Sequence, residues 1–122
     1  MRVSEVEYTG AVPVDGYGPG FFRVGGEVVE GPVLLTATGR KPWAGLADIE
    51  PLRALVGDVD VLFIGTGDAL RPIDPALQSG LEQAGMGVEL MASPTAARTF
   101  NVLLGEGRRV AVAMMPVGAV GS

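Results

Sequence analysis

Two stretches of this chain hold residue types that could act together on a negatively charged group. The first is Gly65-Thr66-Gly67-Asp68, which follows the nearly continuous apolar run Val59–Ile64. Such a run marks a strand buried on both faces. Paired glycines let backbone N–H groups come close to a ligand, Thr66 adds a hydroxyl, and Arg71, four residues beyond Gly67, adds a cation. The second stretch begins at Ser93-Pro94-Thr95, where a cap followed by proline opens a predicted helix with Arg98 just beyond. A helix start offers unpaired N–H groups and the positive end of the helix dipole. Loops that follow parallel strands gather at one edge of a sheet, where ligands of open α/β sheets bind. Gly65, Thr66, Gly67, Arg71, Ser93, Thr95 and Arg98 therefore form a candidate pocket for a phosphate or carboxylate. Donors so placed could stabilise developing negative charge. The plainer reading of the same residues is a tight turn, with Arg71 paired to Asp68 or Asp74, Ser93 serving as a cap, and Arg98 solvated. A short glycine loop is a weak motif taken alone.

Other chemistry is poorly supplied. The chain has neither histidine nor cysteine, so it lacks the commonest general base, the commonest zinc ligands and a thiol nucleophile. Disulfides are excluded for the same reason. Asp58 and Asp60 flank Val59 with no third acid close by in sequence, a poor basis for a metal site. Lys41, the only lysine, lies in a polar loop where nothing desolvates it into a Schiff-base amine. Gly16-Tyr17-Gly18-Pro19-Gly20 resembles a nucleotide loop but precedes a strand, so it reads as a structural turn. No catalytic residue, metal or cofactor is assigned. A net charge of −5 argues against nucleic acid as a partner. The Arg108-Arg109 pair reads as a solvated strand start. Exposed Tyr17, Phe21 and Trp43 would mark a partner surface, although burial between layers is expected for at least two of them.

The elements that must position these residues divide the chain in half. Phe21–Val24 and Glu27–Glu30 read as strands joined by Gly25-Gly26, a pair suited to a tight hairpin. Val33–Thr36 is a further strand, and Gly39–Pro42 reads as a loop leading to Trp43. From Asp48 the pattern changes. Asp48 reads as the cap of a helix with apolar positions Ile49, Leu52, Leu55 and Val56, stopped by Gly57. The strand Val59–Ile64 follows, then a helix opened by Asp74-Pro75 and ending near Gly85. Val88–Met91 is a strand. The helix from Ser93 runs to about Leu104, burying Ala96, Ala97, Phe100, Leu103 and Leu104, and Arg109–Met115 is the last strand. Alternating strands and helices with short connections imply a parallel sheet at the core, with the antiparallel elements of the first half beside or upon it.

A chain of 122 residues with 48% apolar residues is expected to form a single domain, with no repeat or linker. The tract Val110–Ser122 is too short and too broken by Pro116 and Gly118 to span a bilayer. Met1-Arg2-Val3-Ser4-Glu5 lacks the apolar core of a signal peptide, which gives a cytoplasmic expectation with no membrane partner.

Asp15-Gly16-Tyr17-Gly18, Phe22-Arg23-Val24-Gly25, Ile64-Gly65-Thr66-Gly67 and the run Thr99–Arg108, in this order and spacing, resemble the Mth-domain family of unknown function. Its members include the adipogenesis-associated Mth-domain-containing protein and a mitochondrial complex I assembly factor. The resemblance covers roughly residues 14–115. It implies a layered α/β fold with a mixed central sheet, and it brings no catalytic set to carry over. The resulting expectation is a non-enzymatic accessory or assembly module acting through a protein partner. Two alternatives stand beside it: a small-anion binder or minor enzyme using the Gly65-Thr66-Gly67 pocket, and a homo-oligomer joined by a strand edge or by the apolar tail Pro116–Val120.

Overall fold

The computed structural model describes residues 12–118. The N-terminal segment behind the cytoplasmic expectation, and Ala119 and Val120 of the apolar tail, lie outside the described residues.

Three short strands, β1 (Val14–Gly18), β2 (Phe21–Val24) and β3 (Glu27–Glu30), form a small antiparallel sheet in that order. The turn between β2 and β3 is Gly25-Gly26, with φ of 57° and 87°, the left-handed pair that a two-residue hairpin turn requires. The turn expected across residues 16–20 is confined to Pro19-Gly20, because residues 14–18 pair with β2 as a strand. Gly18 within it packs against the Phe21 ring, from which a Cβ there would lie 2.5 Å, so a larger residue would have to displace that ring.

The second sheet has five strands in the order β5-β4-β8-β6-β7. These are β4 (Val33–Thr36), β5 (Gly39–Lys41), β6 (Val61–Gly65), β7 (Gly87–Met91) and β8 (Val110–Met114). β6 runs parallel to both β7 and β8, while β4 is antiparallel to β8 and to β5. The sheet is therefore mixed, as the resemblance implies. The expected loop at residues 39–42 is instead a short edge strand, since Thr36 pairs with Gly39 and Leu34 with Lys41. Its polar Gly-Arg-Lys composition carries no alternating apolar signal.

Helices α2 (Pro75–Gln83) and α3 (Ser93–Gly105) connect the parallel strands. The chain steps outward from β6 to β7, then back past β6 to β8. Two connections of the same hand can make those opposite steps only on opposite faces of the sheet. The core divides accordingly. Val110, Val112 and Met114 of β8 and Phe63 of β6 meet α3 and the small sheet, with Phe22, Ala96, Ala97 and Phe100 in the same cluster. Ala111, Ala113, Leu62 and Ile64 face the other way, toward Leu77 and Leu81 of α2, and toward Leu52, Leu55 and Trp43. The alternation along β6 and β8 is the period of two that side chains on a strand must show.

The helix expected from Asp48 is a single turn, α1 (Glu50–Arg53), with Ile49 at its cap position. The Asp48 carboxylate instead accepts from the Ala44 N–H at 2.9 Å, and its carbonyl accepts from the Trp43 indole at 2.9 Å. The apolar spacing continues past Arg53 in i→i+3 turns, Leu55 to Leu52 and Val56 to Arg53, and ends at Gly57 with φ of 93°. At α2 the expected device is present: the Asp74 carboxylate accepts from the Ala76 N–H at 2.9 Å, with Pro75 opening the helix.

Candidate functional site

The C-terminal ends of the parallel strands bring four of the seven candidate residues together. Gly65 closes β6, Thr66 and Gly67 follow it, and Ser93 opens α3 directly against them. The approach is so close that a Cβ on Gly65 would lie 2.7 Å from both the Cα and the Oγ of Ser93. This is also where the chain direction switches, the crevice in which open α/β sheets hold ligands.

Here the crevice is closed by hydrogen bonds of the protein itself. The Gly67 N–H donates to Ser93 Oγ at 2.9 Å, and the Ser93 hydroxyl donates to the Met115 carbonyl at 2.6 Å. Ser93 N–H donates to the Gly67 carbonyl at 2.8 Å and Thr66 N–H to the Met91 carbonyl at 2.9 Å. The Thr66 hydroxyl donates to the Ala69 carbonyl at 2.7 Å while accepting from the Arg71 N–H at 2.9 Å. Thr66 and Ser93 are buried, so these bonds satisfy groups that would otherwise be costly to desolvate. Ser93 is not the helix cap. That position belongs to Ala92, and the Ser93 side chain bonds across to β8's end and the β6 loop. A proline in second place still marks the helix start, but the hydroxyl is spent on tertiary structure.

The remaining three candidates are exposed. Arg71 follows the Thr66 turn, and Arg98 on α3 reaches Thr95 Oγ1 at 3.4 Å. Among the described residues neither arginine has a carboxylate within 4.0 Å, so the expected Arg71 pairing with Asp68 or Asp74 is absent there. Asp68 accepts instead from the Gly118 N–H at 2.8 Å. At the start of α3, Ser93 N–H is used, Pro94 has none, and Ala96 N–H goes to the Ala92 carbonyl at 3.0 Å, which leaves the Thr95 N–H.

Of the aromatics, Trp43 is buried, Phe21 is half-buried and Tyr17 is 49% exposed. From the apolar tail, Val117 is buried and its carbonyl accepts from the Gly20 N–H at 2.9 Å, so this part of the tail is docked on the chain's own small sheet.

Two features escaped the sequence reading. Asn101 of α3 uses its amide as a strand edge would. Its Oδ1 accepts from the Val14 N–H at 2.9 Å and its Nδ2 donates to the Val14 carbonyl at 2.8 Å, tying β1 to the helix. Nothing in local spacing signals a bond across 87 residues. The second feature is a cleft of about 500 Å³ at the opposite end of the five-stranded sheet, lined by Thr36, Thr38, Lys41, Asp58, Arg108 and Arg109 among others. Beside it the Arg109 guanidinium meets Asp60 at 2.9 Å. That hydrogen bond, with the charges of Arg109 and Arg108 behind it, holds the Asp60 carboxyl below its ordinary value, and raises Arg109 in turn. Arg108 and Arg109 read in sequence as a strand start; with β5 paired to β4, Lys41 lines the same cleft as they do.

The fold and its closed crevice define a layered α/β module in which the usual ligand edge serves as structure. Residues 14–115 match the family described as Protein of unknown function (DUF498/DUF598), and the chain belongs to that family. It is 47% identical over 121 residues to an uncharacterised protein of Rhodobacter capsulatus, covering 98% of each chain. It is 30% identical over 113 residues to NADH dehydrogenase [ubiquinone] 1 alpha subcomplex assembly factor 3 of Bos taurus, covering 87% of this chain and 61% of that protein. Among solved structures, a Bartonella henselae protein described as an outer membrane protein superposes with a TM-score of 0.81 at 31% identity, over 91% of this chain and 99% of that one. A Mth938-like domain of Bordetella pertussis gives 0.73 at 27% identity, over 95% and 92%. The Mth-domain resemblance and its layered α/β fold are thereby established. No helix among the described residues is long and apolar enough to cross a membrane.

Proposed function

We propose that this chain is a non-enzymatic accessory module that acts by binding a protein partner. The observation that carries this reading is its similarity to assembly factor 3 proteins, 30% identical in the bovine case. The chain spans about 61% of that protein's length, so the relative's role lends a class of function, an accessory to assembly, and no specific partner. The structure supports the same direction. The groups best placed for ligand chemistry at the parallel-strand edge, the Gly67 N–H and the Thr66 and Ser93 hydroxyls, are already engaged. A small anion at that edge would be left with the exposed Arg71 and Arg98 as its main holders. We place the module in the cytoplasm, which fractionation of the source cell would check.

The reading is tested by tagging the chain in its source cell and passing the native extract through size exclusion, with quantitative mass spectrometry of the fractions. A single protein co-eluting with the chain at near-equal amounts is the expected result. Elution at the 12.5 kDa of the free chain with nothing enriched would refute the proposal, and so would a complex made only of copies of this chain.

A further inference from the structure

We propose that the cleft at the N-terminal edge of β6 and β8 is a binding site for a carboxylate carried on an apolar stem. The site is independent of the partner reading above.

The floor of the cleft is apolar: Leu55, Val59 and Val110 line it and are themselves nearly buried. A second cleft of about 430 Å³ adjoins it, sharing Lys41, Leu55 and Asp58 and adding Pro42, Pro51 and Ala54. Both volumes lie in the range of small-ligand sites, which combine apolar walls with a few converging polar groups. The polar groups here are of one dominant sign. Lys41, Arg108 and Arg109 line the first cleft against one carboxylate, Asp58. Adding Asp60, which is paired to Arg109, leaves three cations facing two carboxylates. The excess is a single positive charge in a chain whose net charge is −5. The two cations with no carboxylate within 4.0 Å among the described residues are Lys41 and Arg108. One negative charge balances the site, which favours a carboxylate over a doubly charged phosphate ester.

A donor stands beside the cations. The hydroxyls of Thr36 and Thr38 are 2.9 Å apart, and the Thr38 N–H donates to Thr36 Oγ1 at 3.1 Å. The Thr36 hydroxyl also lies 3.4 Å from the Gly39 carbonyl; when it donates to Thr38 instead, the Thr38 proton is left without an acceptor among the described residues and can go to a ligand oxygen. An inorganic anion would leave the apolar floor unused, and an apolar amine would meet like charge. A carboxylate with a hydrocarbon stem uses both surfaces.

The test is a ¹H–¹⁵N NMR titration of the full chain with hexanoate, beside hexylamine, inorganic phosphate, and N-acetyl-leucyl-leucine bearing a free C-terminal carboxylate. Hexanoate is expected to saturate with a Kd of about 1 mM, as befits so small a ligand. It should shift the amides of Thr36, Thr38, Lys41, Val59 and Arg108–Val110. Lys41→Gln with Arg108→Gln should weaken it about tenfold or more. Both side chains are exposed, so spectral dispersion should be kept; Lys41→Gln alone serves if the double variant loses it. Saturation by the dipeptide acid alone also supports the site and names a polypeptide C-terminus as its source. The proposal fails if hexylamine or phosphate binds as tightly as hexanoate, if no acid saturates, or if the variants bind as the parent does.

Discussion

The two ends of the five-stranded sheet are built from similar parts and put them to opposite use. At the C-terminal end of β6, glycines, a threonine, a serine and a helix start converge, and the Gly67 and Ser93 N–H groups and the Thr66 and Ser93 hydroxyls are engaged within the chain. At the other end, two threonines, a lysine and two arginines border an open cleft. The difference lies in one helix placement. α3 crosses back over the sheet with Ser93 driven against Gly65 and Gly67, so the switch-point crevice that holds ligands in related architectures becomes a joint. Residue types at a sheet edge define what chemistry is available; whether it reaches a ligand depends on which acceptors the neighbouring segment brings.

The joint can be broken most directly at Gly65. A methyl group there would lie 2.7 Å from the Ser93 backbone and 3.1 Å from the Met114 side chain, and backbone cannot yield as a flexible side chain can. Gly65→Ala is expected to cost about 3 kcal/mol, the upper part of the range for overpacking. For a domain of this size that lowers the Tm by about 12 °C. A thermal melt within a degree of the parent would show that the two segments are not in contact.

Ser93→Ala is the next step down. It fits the space but leaves the Gly67 N–H and the Met115 carbonyl without their partner, at a site where Ser93 is fully buried. The expected loss is about 2 kcal/mol, read as a lower urea midpoint with an unchanged slope. The same variant sharpens the contrast between the edges. Hexanoate binding at the opposite cleft should persist in it, because the seal and the cleft lie at opposite ends of the strands. Equal stability of parent and variant would mean that water replaces the hydroxyl freely, and that the edge is open after all.

How far this contrast could be read beforehand follows from what each feature depends on. The strands β6 and β8 declare themselves as continuous apolar runs, and the Gly25-Gly26 hairpin and the Asp74-Pro75 helix start are local chemistry. α3 shows its buried face in the spacing of Ala96, Ala97, Phe100 and Leu104. β1 and β5 do not, since their residues are glycine-rich or charged and become strands only because β2 and β4 offer edges to pair with. The Asp48 helix failed because a carboxylate can also clasp an upstream N–H. At the candidate site the convergence of Gly65, Thr66, Gly67 and Ser93 was legible from topology. Their mutual satisfaction was not, because Ser93 finds Gly67 26 residues away and Met115 22 away. The cationic cleft gathers Lys41 and Arg108 from separate parts of the chain, a convergence that no local spacing encodes.

The smallest expected effect concerns the ion pair at the open edge. Asp60 and Arg109 are each 59% exposed, so solvent and salt screen their attraction and its contribution to stability is slight. Its pH signature is nonetheless definite. The folded-state pKa of Asp60 lies below the ordinary value of 3.8, chiefly through the hydrogen bond from Arg109. A depressed carboxylate stabilises the fold above its unfolded-state pKa and loses that contribution as pH falls through the folded-state value. Asp60→Asn should therefore unfold slightly more easily than the parent at pH 7, and the gap should close below about pH 3.8. It should also shrink in 1 M salt, where the screening length is only about 3 Å. The Ser93 deficit, arising from buried neutral groups, should respond to neither change. A gap between Asp60→Asn and the parent that survives both acid and salt would assign Asp60 a packing role, and would make the two edges more alike than their hydrogen bonds suggest.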